Sequence, residues 1–157
     1  MRFLVLSDIH YSSPAPLFDI IKGCDGVIFA GDGERALSQI RELNPNVYAV
    51  RGNCDAGSSL PDREILSFLG NKILLCHGHK LYAKRSYEFL VCEAKAQNCS
   101  AVIFGHTHKP YFAYNEGVCL MNPGSFGEYP KTYGFLDVTK DGIMFSVIDF
   151  VSHKIIL

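Results

Sequence analysis

The sequence predicts an α/β fold of four layers, α-β-β-α, with two β-sheets packed face to face between outer helices. Three observations carry this expectation. Strand and helix signals alternate through the first half of the chain. The second half is dominated by strand-like runs joined by short turns. The first-half strand runs are short and continuously apolar, as strands buried on both faces require. A length of 157 residues suits one domain, read here as residues 1–157, large enough to bury a core without disulfides.

Phe3–Ser7 is a short apolar run ending just before an acid, which marks a buried strand. Pro16–Lys22 predicts a short helix, with proline near its start and Gly23 just beyond its end. Gly26–Ala30 is a second strand. Glu34–Leu43 sets Ala36, Leu37, Ile40 and Leu43 on one helical face and stops at Asn44-Pro45. Asn46–Val50 is a third strand, so this half implies parallel pairing through right-handed crossovers. Glu64–Leu69 and Lys72–Cys76 flank Gly70-Asn71 as a hairpin. Lys84–Asn98 is the longest predicted helix, with Tyr87, Leu90, Val91, Ala94 and Ala96 near one stripe. Ala101–Phe104 is a further buried strand. Tyr111–Tyr114 with Val118–Met121, and Tyr133–Val138 with Ile143–Phe150, form two more hairpins.

Composition narrows the function. Lys plus Arg number 15 against 16 Asp plus Glu, a net charge of −1, so no bulk positive field is available to hold long nucleic acid. Phe3–Leu6 is too short for the core of a signal peptide. No apolar run approaches a membrane span, so a cytoplasmic protein without membrane contact is expected. The six cysteines include no C-x-x-C pair, and Cys76, Cys92 and Cys119 lie in apolar segments, so reduced, buried thiols are expected.

Polar groups suited to metals cluster at the predicted strand ends. Asp8-Ile9-His10 follows the first strand, Gly31-Asp32-Gly33-Glu34 the second and Gly52-Asn53-Cys54-Asp55 the third. His77-Gly78-His79 and Gly105-His106-Thr107-His108 follow two strands of the second half. In open α/β sheets the crevice beyond the strand carboxyl ends is where ligands bind. Adjacent glycines let the backbone approach an ion or a phosphate oxygen. A mixed carboxylate, imidazole and amide set suits Mn²⁺, Fe²⁺, Ni²⁺ or Zn²⁺ better than Ca²⁺. Several ligand loops around one crevice point to two ions, about 3.5–4 Å apart. Glu34 reads as a first-turn acid of its helix. Tyr11, Tyr82, Tyr111 and Phe126 flank the motifs and read first as packing residues, second as pocket lining.

Carrying all five of these motifs in order, the chain resembles the calcineurin-like metallophosphoesterase superfamily, and within it the small single-domain prokaryotic phosphodiesterases. The resemblance implies a sandwich of two mixed sheets. It implies that Asp8, His10 and His108 bind one metal, that Asn53, His77 and His106 bind the second, and that Asp32 bridges both. Mn²⁺ is the first expectation, with Ni²⁺, Fe²⁺ or Zn²⁺ as substitutes. Many larger relatives carry His where Cys54 stands, so the proton for the leaving oxygen is assigned either to metal-bound solvent or to His79. Asp32, Asn53, His77 and His79 are the candidate catalytic residues, and Cys54 and Ser125 the candidate substrate contacts.

The implied reaction is in-line attack of a metal-bridging hydroxide on a small phosphodiester. The alternatives are a phosphomonoesterase or nucleotide hydrolase, and a non-catalytic scaffold of the same fold that binds partner proteins, as a small retromer subunit among the relatives does. Taken singly, each motif has an ordinary structural reading: a strand-ending acid, a turn asparagine, a satisfied histidine. Their joint occurrence favours a metal site. Assembly into a homo-oligomer is left open.

Overall fold

The computed structural model describes residues 1–157. Strands β1 (Arg2–Leu6), β2 (Gly26–Phe29) and β3 (Val47–Ala49) are joined by helices α1 (Phe18–Gly23) and α2 (Leu37–Leu43). They pair in parallel, β1 with β2 and β2 with β3. Strands β4 (Arg63–Phe68), β5 (Asn71–Cys76), β6 (Ala101–Ile103), β7 (Pro110–Asn115) and β8 (Val118–Pro123) form a second sheet in the order β4-β5-β6-β8-β7, with α3 (Glu88–Ala96) between β5 and β6. The last hairpin, β9 (Thr132–Thr139) and β10 (Gly142–Asp149), returns to the first sheet, whose order is β10-β9-β1-β2-β3. Both sheets are therefore mixed, and the second half of the chain is split between them.

Alternation along the strands builds the layers. Phe3, Val5 and Ile28 point from the first sheet, and Phe68, Ile73, Leu75 and Ile103 from the second, into a core between the sheets. The opposite faces of the same strands are equally apolar. Leu4, Leu6, Val27 and Phe29 pack under α1 and α2 with Ile21, Leu37 and Ile40. Leu74, Cys76 and Val102 pack under α3 with Leu90, Val91 and Ala94. This is the expected four-layer sandwich.

Two local expectations are corrected, a helix boundary and the burial of two cysteines. The helix expected over Lys84–Asn98 is only Glu88–Ala96, because the Ser86 hydroxyl accepts the Glu88 N–H and Tyr82 C=O accepts from Arg85 and Ser86, keeping the preceding residues in a turn. It ends where Asn98 turns left-handed (φ 55°) and the Cys99 N–H reaches back to Ala94 C=O, a Schellman closure. Cys92, expected in the core, is exposed, because the buried stripe of α3 runs through Leu90, Val91 and Ala94. Cys54 is exposed as well, while Cys76, Cys99 and Cys119 are buried and every thiol is free. Asn44 does more than end α2: its side-chain amide donates to Ile21 C=O and Cys24 C=O at the end of α1, tying the two helices together. No helix is long and apolar enough to cross a membrane.

Candidate metal centre

Parallel pairing puts the carboxyl ends of β1, β2, β3, β5 and β6 at one end of the sandwich, and the five polar clusters leave from there. Asp8 is fully buried. Its Oδ2 accepts the Ser7 hydroxyl at 2.6 Å and the His106 N–H at 3.0 Å. Its Oδ1 is buried with no hydrogen-bond partner, yet lies 3.1 Å from His108 Nε2 and 3.9 Å from His77 Nε2. His10 Nε2 and His108 Nε2 face each other at 3.3 Å. His77 Nε2 lies 3.2 Å from Asn53 Oδ1 and 3.3 Å from Asp32 Oδ2.

The far sides of the His77 and His108 imidazoles are fixed. His77 Nδ1 donates to Ala30 C=O at 2.7 Å, and His108 Nδ1 donates to Glu128 at 2.9 Å. That leaves both Nε2 lone pairs directed into the cluster, the arrangement seen when a partner orients a metal-binding histidine. Ligand atoms of Asp8, His10 and His108 lie within 4.8 Å of one another, as do those of Asp8, Asp32 and His77, and those of His10, Asp32 and Cys54. An orphaned buried carboxylate oxygen amid imidazole lone pairs is a donor set that fits divalent cations.

The charge balance points the same way. Burial pushes the Asp8 carboxyl up, against the pull of His77 and His108. Burial also presses on Asp32, but His77 and the Cys54 N–H override it and hold this carboxyl well below the usual range. His77 is raised: burial opposes its charge, but Asp32 and Asp8 outweigh that. These carboxylates therefore call for positive charge between them. His106 is pushed down to about 4 by burial and by His77 and Lys84, so it is a neutral imidazole at pH 7.

Backbone strain is concentrated at these residues. Of ten non-glycine residues with positive φ, five are Asp8, His10, Asp32, His106 and His108, at 51° to 67°. Each costs about 1 kcal/mol or more and persists only where the surroundings enforce it. Two glycines enforce it by close approach: a Cβ on Gly52 would collide with Asp32 Oδ1, and one on Gly105 with Ser7 Oγ.

The structure thus gathers Asp8, His10, Asp32, His77 and His108, with Asn53 joining through Oδ1. His106 lies alongside, its ring centroid 5.1 Å from that of His77, outside the closely spaced sets. His79 is beside His77 at 5.4 Å, its Nδ1 buried without a partner. Cys54 faces the cleft and donates its backbone N–H to Asp32. Ser125 is corrected as a substrate contact. It is 1% exposed, its hydroxyl donates to Asp8 C=O, and it accepts from Gly127 and Glu128 N–H, so it braces the Asp8 turn. Phe126 is core, Tyr111 packs on Tyr87, and Tyr11 alone of the flanking aromatics lines the cleft.

Sequence reasoning missed three braces. Asp55 accepts the backbone N–H of Asp32, Gly33, Glu34 and Gly52, locking the Asp32 and Asn53 loops together. Its pKa is lowered because these bonds outweigh its burial. Asn122, buried, donates to Gly105 C=O and Thr107 Oγ1, fixing the loop that carries His106 and His108. Glu128 sets His108. Only Asp55 stood inside a motif, where its place in Gly-Asn-Cys-Asp was the available signal.

The chain is similar to known proteins. A family model described as the calcineurin-like phosphoesterase superfamily domain matches residues 1–141. A probable metallophosphoesterase of Methanocaldococcus jannaschii is 33% identical over 128 residues, which are 77% of this chain and 66% of that protein. The chain therefore spans about two thirds of that relative's length. The phosphodiesterase YfcE of Escherichia coli K12 is 29% identical over 171 residues, covering 87% of this chain and 88% of that protein. The crystal structure of Entamoeba histolytica Vps29 complexed with zinc superposes with a TM-score of 0.85 over 99% of this chain and 96% of that one, at 23% identity. That last likeness concerns the fold.

Proposed function

The chain belongs to the calcineurin-like phosphoesterase superfamily, and on that premise we propose that it is a phosphodiesterase working with two divalent cations on small phosphodiesters. The observation that carries the reading is the orphaned Asp8 Oδ1, buried among imidazole and carboxylate donors whose backbones are held in strained conformations. Asp32 belongs to one set with His77 and to another with His10, the position a bridging carboxylate needs. In this reading Asp8, His10 and His108 hold one cation, and Asn53, His77 and His106 the other. Mn²⁺ is the first candidate and Ni²⁺, Fe²⁺ or Zn²⁺ the substitutes.

When bound, such a pair supplies Lewis acidity, activating a water and offsetting charge on the phosphate oxygens. The chain's own residues orient and exclude. Ala30 C=O and Glu128 keep the two histidines in the tautomer that binds. The Cys54 thiol is raised by burial and by Asp32, which disfavours a thiolate nucleophile. Burial, His77 and Lys80 lower the pKa of His79, which weighs toward solvent rather than His79 as the source of the proton for the leaving oxygen. An open cleft of about 280 Å³ beside the ligands suits a small substrate. The phosphodiesterase YfcE supports a diester over a monoester. The scaffold reading draws on the Vps29 fold; the similarity to the phosphodiesterase YfcE, together with the gathered Asp and His donors, weighs against it.

Manganese-dependent hydrolysis of bis(4-nitrophenyl) phosphate, abolished by EDTA, is the direct test. Asp32→Ala and His77→Ala are each expected to lower the rate more than about a hundredfold, since each removes a donor. Unchanged rates in both variants would refute the assignment.

A further inference from the structure

Beside the ligand cluster lies the cleft of about 280 Å³ lined by His10, Tyr11, Arg35 and Cys54, together with Glu34 and Asp55. A second hollow continues past Arg35 along Ser13 and Gln39, and a third runs from His10 to His108 and Glu128. Tyr11 is 94% exposed and lines all three, so it stands where they meet. A phosphate held at the ligands would thus have separate hollows for its two ester arms.

The hollows differ in charge. The Glu128 carboxylate is engaged by His108. The Asp55 carboxylate is saturated by four backbone N–H groups. Arg35 is unlike the other arginines. Arg2, Arg51 and Arg63 each have a carboxylate partner, Arg85 lies over Tyr82, and Arg41 lines none of the hollows. Arg35, exposed and without a carboxylate partner, lines two hollows, and its guanidinium is a fork matched to a carboxylate or phosphate.

We propose that Arg35 determines substrate choice by receiving, in the hollow it shares with Cys54, an ester arm that carries a second anionic group. This rests on the phosphodiesterase reading above. Glu34, half-buried in the same hollow, opposes that anion, so two neighbouring residues act with opposite sign.

The test compares kcat/KM of the manganese-loaded protein on two diesters. One is bis(4-nitrophenyl) phosphate; the other is its analogue with a carboxylate on each ring. Arg35→Gln is expected to lower the ratio of carboxylated to neutral diester roughly fivefold, chiefly through KM, the scale of a solvent-exposed ion pair. Glu34→Gln is expected to raise it, Arg41→Gln to leave it unchanged, and added salt to shrink both effects. An unchanged ratio in Arg35→Gln and Glu34→Gln overturns this assignment and leaves the hydrolase reading standing. Hydrolysis of neither diester by wild-type protein that binds Mn²⁺ overturns the hydrolase reading, and this inference with it.

Discussion

The two ends of the sandwich use the same unusual backbone conformation for different purposes. At the far end, the hairpin turns place Leu69, Glu116 and the glycines at 70, 117 and 142 at positive φ, and a Cβ on any of these glycines would meet nothing within 4 Å. There the left-handed residues simply reverse the chain. At the carboxyl ends of the parallel strands, positive φ falls on five of the candidate metal ligands, and the neighbouring glycines are hemmed in by Asp32 and by Ser7 and Asp8. One end can relax around a substitution; the other holds Asp8 and Asp32 in place by leaving no room.

Glycine substitutions should separate the ends most sharply. Gly52→Ala and Gly105→Ala displace Asp32 or Asp8, and are expected to cost activity at least about a hundredfold along with metal affinity, as loss of a ligand would. Gly117→Ala strains only its turn. It is expected to lose about 1–2 kcal/mol in denaturant unfolding, with kcat/KM unaffected. Comparable activity loss at both ends would break the comparison.

Asp55→Ala comes next. It leaves four backbone N–H groups of two ligand loops without their acceptor. A destabilisation of about 2–3 kcal/mol and a roughly tenfold weaker Mn²⁺ affinity are expected, read by chemical denaturation and by metal titration. Wild-type affinity in this variant would show that the loops hold their shape unaided.

The smallest effect concerns Asp62, which bonds Arg51 and Lys80 and so links the Asn53 loop to the His79 turn. These cations lower its pKa from 3.8 to about 2. Because the folded value is depressed, its contribution is full above the unfolded pKa and is lost as pH falls toward the folded one. Thermal midpoints should therefore drop more between pH 4 and about 2 in wild-type protein than in Asp62→Asn. Parallel curves would remove this brace from the account.

The contrast between the ends also explains what could be read in the sequence. Strands buried on both faces are apolar runs, so β1, β2, β5 and β6 were legible, and the polar clusters stood out because they interrupt those runs. The return of β9 to pair with β1 was not legible, since an antiparallel hairpin has no local mark of its lateral neighbour. Nor were Asn122, Glu128 and the bracing role of Ser125, which act on loops 15 to 117 residues away in sequence. Cys92 misled because an apolar neighbourhood in sequence is not a buried face on a helix.

The central claim is tested most directly by titrating Mn²⁺ into EDTA-stripped protein and following heat and thermal midpoint. The account predicts about two equivalents bound by wild-type protein, with a rising midpoint, and a marked loss of both in Asp8→Asn. Wild-type protein that takes up no Mn²⁺ at millimolar concentration, or Asp8→Asn that binds as wild type does, would contradict it.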